Sequence, residues 1–283
     1  MSIEFSSVMA AQARGSGGSF SVKAIDLHEL GELASPVTVL DDFRVSGRPF
    51  PPHPHAGFSA VTYVFEDSPG GLRSRDSLGN DVVTGPGGIV WTQTGSGVIH
   101  EEVPADPDRE LHGLQIFVNL SSKNKLVVPQ MFRLEKSEVP ECWSDAGDRV
   151  RVVVGSFQGV SSPLVPAEPF TFLDVDLRRA ISFNLENTHN AIVYVLTGGV
   201  LVGAYGREQN MAGGHAIALY GSGGRVTFEA SDPSRFLILS GAEIREPVVV
   251  QGSFMLNEQS QIDDAVARYQ AGEMGYLAPL SKS

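Results

Sequence analysis

Punctuation constrains this chain more than any other feature. Short apolar runs are broken by Gly, Pro, Asp and Asn at intervals too close for long helices, and the chain carries 31 glycines and 17 prolines. Glu66-Asp-Ser-Pro-Gly-Gly71 is a loop, Asp76-Ser-Leu-Gly-Asn80 reads as a hairpin turn, and Gly85-Pro-Gly-Gly88 cannot continue a strand. Between these breaks the sequence predicts strands at Ala60–Phe65, Leu72–Arg75, Asp81–Thr84, Ile89–Thr92, Gly97–Glu102 and Leu114–Asn119. Strands this short at such regular spacing predict an all-β antiparallel sandwich or barrel.

The second half repeats the theme. Ile192-Val-Tyr-Val-Leu196 echoes Val61-Thr-Tyr-Val-Phe65 at an offset of 131, and Gly224-Arg-Val-Thr-Phe-Glu229 echoes Gly97-Val-Ile-His-Glu-Glu102 at an offset of 127. Two copies of one β unit suit a chain of 283 residues, since domains commonly run ~100–200 residues. The join is read in the Pro-rich stretch Ser161–Pro169, and Asp148–Ser156 is a strand that suits either half. The division adopted is 20–140 for the first domain and 141–283 for the second, with residues 1–20 a frayed terminus. The last element is a short helix capped by Ser260, with Asp263 three residues on. Its apolar face is Ile262, Ala265, Val266 and Tyr269, and Gly272 ends it.

Composition removes several classes of function. The formal charge is −12 and no cluster of Lys and Arg is present, which argues against direct nucleic-acid binding and against docking on anionic lipid. The single cysteine, Cys142, allows no internal disulfide framework and no Cys-rich zinc site. The N-terminus has no basic start followed by an apolar run, and no segment reaches 18 consecutive apolar residues. A cytoplasmic protein is expected.

Seven histidines occur, and three fall in a pattern with chemical content. In an extended segment residues i and i+2 share a face. His53 and His55 therefore point the same way, and Pro54 holds His53 extended. By the same rule His100 and Glu102 share a face and Glu101 points away. If these two pairs sit on neighbouring strands, they offer three imidazoles and one carboxylate to a single point, a set suited to Fe, Mn, Ni, Cu or Zn. His112 reads as a satisfied polar residue at a strand start, with orientation of a ligand as the alternative. His28, His189 and His215 have no partner at ligand spacing. The internal repeat carries the four candidate ligands onto Asn184, Glu186, Thr227 and Glu229, so only the first domain keeps a metal shell.

At these residues a family resemblance enters. Pro52-His-Pro-His-Ala-Gly-Phe58, Asp76-Ser-Leu-Gly-Asn80, Trp91, Gly95-Ser-Gly-Val-Ile-His-Glu-Glu102, His112-Gly-Leu-Gln115 and Gly241-Ala-Glu-Ile-Arg-Glu-Pro-Val248 closely resemble the pirin family. The resemblance covers about residues 20–276. It implies a bicupin, two antiparallel β-barrels of jelly-roll type packed face to face, with the short C-terminal helix outside. It implies one divalent metal, iron(II) first, held by His53, His55, His100 and Glu102. Bacterial members are similar to quercetin 2,3-dioxygenases, so the resemblance implies a flavonol-like aromatic substrate, O2, and ring opening with Glu102 as base. Vertebrate pirins are linked to transcription, which implies the alternative: an iron-dependent, redox-responsive protein acting through a protein partner. Two departures bear on the pocket. Pirins commonly carry Arg after the HPH and Glu after the GF, where this chain has Ala56 and Ser59. Phe43, Phe58, Trp91 and Phe117 are the aromatic candidates for the pocket wall.

Overall fold

The structure is a computed structural model and describes residues 2–17, 19–48 and 50–280. It is almost wholly antiparallel β, with three short 3-10 turns and one α-helix at Gln259–Gln270 among the described residues. No helix is long and apolar enough to cross a membrane. Each strand predicted in the first half is present, with bounds shifted by no more than about three residues.

Two compact units result, and they differ from a single cut near residue 140. One comprises 13–22, 39–136 and 244–283; the other comprises 1–12, 23–38 and 137–243. The reason is strand and side-chain pairing that adjacency in sequence does not reveal. Ile3–Phe5 hydrogen-bonds antiparallel to His215–Gly221, so the terminus expected to fray is an edge strand of the second unit. The C-terminal segment, expected with the second half, packs in the first unit. There Phe254, Leu256, Ile262, Ala265 and Met274 form one cluster with Ala56 and Ile99.

The first unit has a seven-stranded sheet and a four-stranded sheet. In the four-stranded sheet His53–His55, Val98–Pro104, Leu72–Asp76 and Asp81–Thr84 lie in that order. The seven-stranded sheet places Phe58–Val64 between Ile89–Gln93 and Leu111–Asn119. Gly57 joins the His53–His55 strand to Phe58–Val64 at φ +88°, and a Cβ there would meet the Met255 carbonyl oxygen at 1.9 Å. Only glycine fits a left-handed backbone so close to another chain segment.

The second unit repeats this plan. Its four-stranded sheet runs Ala180–Leu185, Gly224–Glu229, Gly199–Ala204, Arg207–Ala212, and Gly224–Glu229 holds the place that Val98–Pro104 holds in the first. Phe183, Leu185, Val226 and Phe228 point into its core, and Phe228 stacks on Phe236 at 4.9 Å. The offset of 127 therefore needs correction: it carries His100 onto Thr227, which alternation puts on the opposite face from Val226 and Phe228. A shift of one residue in a strand exchanges its two faces. Where the first unit turns histidines inward, the second turns hydrocarbon.

The helix cap lies two residues before the expected one. Glu258 is its N-cap, and its backbone N–H donates to Gln261 Oε1 at 3.1 Å. The hydroxyl of Ser260 merely donates to Glu258 Oε2 at 3.4 Å. Ile262 and Ala265 are buried as the periodicity requires, whereas Tyr269 is 40% exposed.

Candidate metal centre

The register brings the two histidine-bearing strands side by side. His100 lies opposite His53, and Val98 opposite His55. Because i and i+2 share a face, the three rings converge: centroid separations are 4.7 Å for His53–His55 and 4.8 Å for each ring to His100. One nitrogen from each lies within 4.8 Å of the other two. Glu102 is not part of that donor group. It lies two residues further along the same face and lines the same cavity as the three imidazoles.

Hydrogen bonds orient two of the rings. His53 Nδ1 is 2.9 Å from the Pro51 carbonyl oxygen, and His55 Nδ1 is 3.2 Å from that of Ser253. A carbonyl only accepts, so each Nδ1 carries the proton and each Nε2 keeps its lone pair. Orientation of this kind is typical of metal-binding histidines. Nδ1 of His100 is buried with no hydrogen-bond partner. Phe58 and Phe117 pack edge-on against His55 at 5.0 and 5.6 Å.

Electrostatics favour neutral rings. Burial, reinforced by the neighbouring His53, lowers the pKa of His55 to about 3. Burial first, then His55 and His53, holds His100 well below the usual imidazole range. Both rings therefore stay unprotonated through neutral pH. Three converging imidazoles, two of them held by hydrogen bonds, with an adjacent carboxylate fit a divalent transition metal.

Burial pushes Glu102 the other way, up to about 7, against the hydroxyls of Thr62 and Ser74, which lower it. Thr62 Oγ1 lies 2.5 Å from Glu102 Oε2 and 3.1 Å from Gln115 Oε1, while Gln115 Nε2 donates to the Val61 carbonyl at 3.0 Å. One hydroxyl has one proton to give. With Glu102 protonated, the carboxyl donates to Thr62, and Thr62 donates to Gln115. With Glu102 ionised, Thr62 turns to the carboxylate and Gln115 Oε1 loses its donor. The row Glu102–Thr62–Gln115 can thus hold a proton at Glu102 with every partner satisfied. A Thr62→Val protein is expected to lose the interaction that steadies the carboxylate. The Glu102 pKa should rise above 7 by about one unit, the worth of a hydrogen bond to a charged group. Carboxyl-region NMR titration of metal-free protein checks this; an unchanged midpoint would disprove the role of Thr62.

A cavity of about 240 Å³ opens onto these groups, walled by Phe20, Phe43, Phe50, Phe117 and aliphatic side chains, with Asp41 and Gln115 as further polar members. Of the four aromatic candidates, Phe43 and Phe117 line it. Phe58 and Trp91 do not; Trp91 is wholly buried. Phe20 and Phe50 escaped sequence reading because they come from segments without periodicity, yet their rings meet edge to face at 4.9 Å. His112 is a satisfied polar residue, 2.9 Å from Asp42 and hydrogen-bonded by Arg44, away from the cavity lining. Neither departure from the family pattern lines the cavity. Ala56 faces the C-terminal cluster, and Ser59 is buried with an unpartnered hydroxyl.

Comparison with known proteins gives the family and the fold. Residues 11–118 match the family model described as Pirin, and residues 172–275 match the Pirin C-terminal cupin domain. The chain is 35% identical over 252 residues to a pirin-like protein of Arabidopsis thaliana, covering 85% of this chain and 80% of the relative. It is 32% identical over 250 residues to a Vibrio cholerae protein provisionally named quercetin 2,3-dioxygenase, covering 84% and 86%. In structure it is similar to quercetin 2,3-dioxygenase from Acinetobacter baumannii, with a TM-score of 0.84 at 24% identity over 98% of this chain and 99% of that one. The bacterial pirin YhhW from Escherichia coli, in complex with nickel(II), gives a TM-score of 0.65 at 17% identity over 86% and 100%.

Proposed function

The chain belongs to the pirin family of two-cupin proteins, and from that premise we propose that it is a metal-dependent dioxygenase that opens the central ring of a flavonol such as quercetin. The observation that carries this reading is an aromatic-walled cavity ending on three converging imidazoles and a carboxyl group whose pKa burial pushes up to about 7. His53, His55 and His100 would hold a divalent transition metal, iron(II) first, with Glu102 as fourth ligand. When bound, that metal acts as a Lewis acid toward the substrate hydroxyl and brings O2 and flavonol together.

The remaining work falls to the protein. Phe20, Phe43, Phe50 and Phe117 clasp a flat aromatic molecule and exclude water from the reacting end. Glu102 accepts the proton of the flavonol 3-hydroxyl at its carboxylate. A group with a pKa close to the working pH suits that task, since it can both take and release a proton. Thr62 donates to the carboxylate before the proton arrives, and burial favours the neutral carboxyl once it has. The imidazoles cannot accept it while their Nε2 lone pairs are engaged and Nδ1 of His53 and His55 already carries hydrogen.

The deciding experiment is metal analysis of anaerobically iron(II)-reconstituted protein, with O2 uptake followed on quercetin. One equivalent of metal per chain, lost in His53→Ala, with O2 uptake that depends on quercetin, is the expected result. Metal bound without O2 uptake would overturn the dioxygenase and favour a redox-responsive protein that acts through a protein partner.

A further inference from the structure

We propose that Lys125 is a positioning residue for the metal centre, acting by clamping the C-terminal strap 249–278 behind the strand that carries His53 and His55. The inference rests on the metal reading above and adds a residue and a segment to it. Lys125 is wholly buried. Its ammonium donates to the Gly57 carbonyl at 2.9 Å, to the Met255 carbonyl at 3.1 Å, and to Asn119 Oδ1. Gly57 follows His55 by two residues. Met255 follows Ser253 by two, and Ser253 supplies the carbonyl that accepts the His55 Nδ1–H. One cation thus ties the strand bearing a ligand to the strand bearing that ligand's orienting partner.

The strap is fastened along its length. Met255 N–H donates to the Ala56 carbonyl at 3.0 Å. Ser77 Oγ donates to the Met274 carbonyl at 2.6 Å, and Arg268 donates to the Ser96 carbonyl at 2.5 Å. Ser77 and Ser96 both flank strands of the four-stranded sheet, on which His100 is also borne. A buried ammonium is retained only where its donors are matched, and here the acceptors are two backbone segments about 200 residues apart in sequence (Gly57 and Met255; separation 198 between His55 and Ser253). Without the clamp the Ser253 carbonyl is free to drift, and His55 loses the partner that sets its tautomer and ring angle. Removing such outer partners commonly costs 10–100-fold in metal affinity. Coupling between two sites is reciprocal, so metal binding should in turn tighten the strap.

The test uses full-length protein and cobalt(II) as the probe. Cobalt(II) affinity is measured by chelator competition in wild type and Lys125→Met. Solvent exchange of the paramagnetically shifted His55 Nδ1–H is followed by NMR, and amide exchange of 249–278 by mass spectrometry. The expected result is a 10–100-fold weaker cobalt(II) affinity in Lys125→Met, faster exchange of the His55 Nδ1–H, and strap protection in wild type that grows on adding cobalt(II). A residue that merely supported the fold would not speed exchange at His55 in a folded, loaded protein. If Lys125→Met does not fold, Arg268→Ala loosens the strap from its far end and should show the same changes at smaller size. Unchanged affinity and an equally slow His55 Nδ1–H in a folded variant would overturn the proposal. Failure of wild type itself to bind cobalt(II) would instead overturn the metal reading, and this inference with it.

Discussion

Metal-loaded Glu102→Gln protein is expected to consume O2 on quercetin about 10²–10⁴-fold more slowly than wild type, the usual worth of a positioned general base. The amide keeps the shape and volume of the carboxyl, so the cavity walls and the three imidazoles are undisturbed. What it removes is the capacity to take a proton. Metal content must be measured on the same sample, because Glu102 is also a proposed ligand and its loss weakens retention. Comparison at equal occupancy separates the two roles. Asp41 supplies the control: it is the other carboxylate of the cavity lining, and burial raises its pKa too. Asp41 lies on the strand Val37–Val45, apart from the two strands that carry the imidazoles. Asp41→Asn is therefore expected to change turnover much less. Normal turnover in fully loaded Glu102→Gln would remove Glu102 as the base, and a large loss in Asp41→Asn would transfer the role.

The inner edge of this site was legible because strand alternation is a local rule. Period-2 spacing alone set His53 with His55 and His100 with Glu102, and the turn at Asp76–Asn80 joins Leu72–Asp76 to Asp81–Thr84 as expected; that the two pairs meet depends on strand pairing, which spacing does not give. Everything that depends on long-range pairing was not legible. Ser253 reaches His55 from 198 residues away, and no spacing rule connects them. Lys125 looks in sequence like one more surface lysine of a polar loop, yet it is wholly buried. Phe20 lies at the edge of a Ser- and Gly-rich stretch that reads as frayed, because such residues have weak strand propensity; the neighbouring strand supplies the backbone partners that propensity could not foresee. The repeat is present, but both offsets have the wrong parity, at Asn184 as well as at Thr227. Small offsets are invisible where few identities anchor the comparison, and one residue is enough to exchange core for solvent.

The same glutamate should reverse its effect when metal is absent. Burial raises Glu102 from an ordinary value near 4.5 to about 7. Between those pH values the native protein keeps a proton that the unfolded chain has released. Stability therefore falls as pH rises through that window, and the cost is complete above 7. Replacing Glu102 with Gln removes the ionisation altogether. Metal-free Glu102→Gln is thus expected to be more stable than wild type at pH 8, by about 3 kcal/mol as an upper figure from the size of the shift, and to differ little at pH 4. His55 and His100 work in the opposite direction. Their folded pKa values lie below the ordinary one, that of His55 at about 3, so their contribution is present above about 6.5 and is lost as pH falls through the acid range. Both proteins share that loss, and the difference between their curves isolates Glu102. Urea denaturation of the two metal-free proteins at pH 4, 6 and 8 provides the measurement. A gap that stays constant across the three pH values would mean that the change is one of packing, and that Glu102 does not hold the proton the mechanism requires. Adding metal should invert the order at pH 8, because the ionised carboxylate, costly in an apolar cavity, is the form that a divalent cation stabilises.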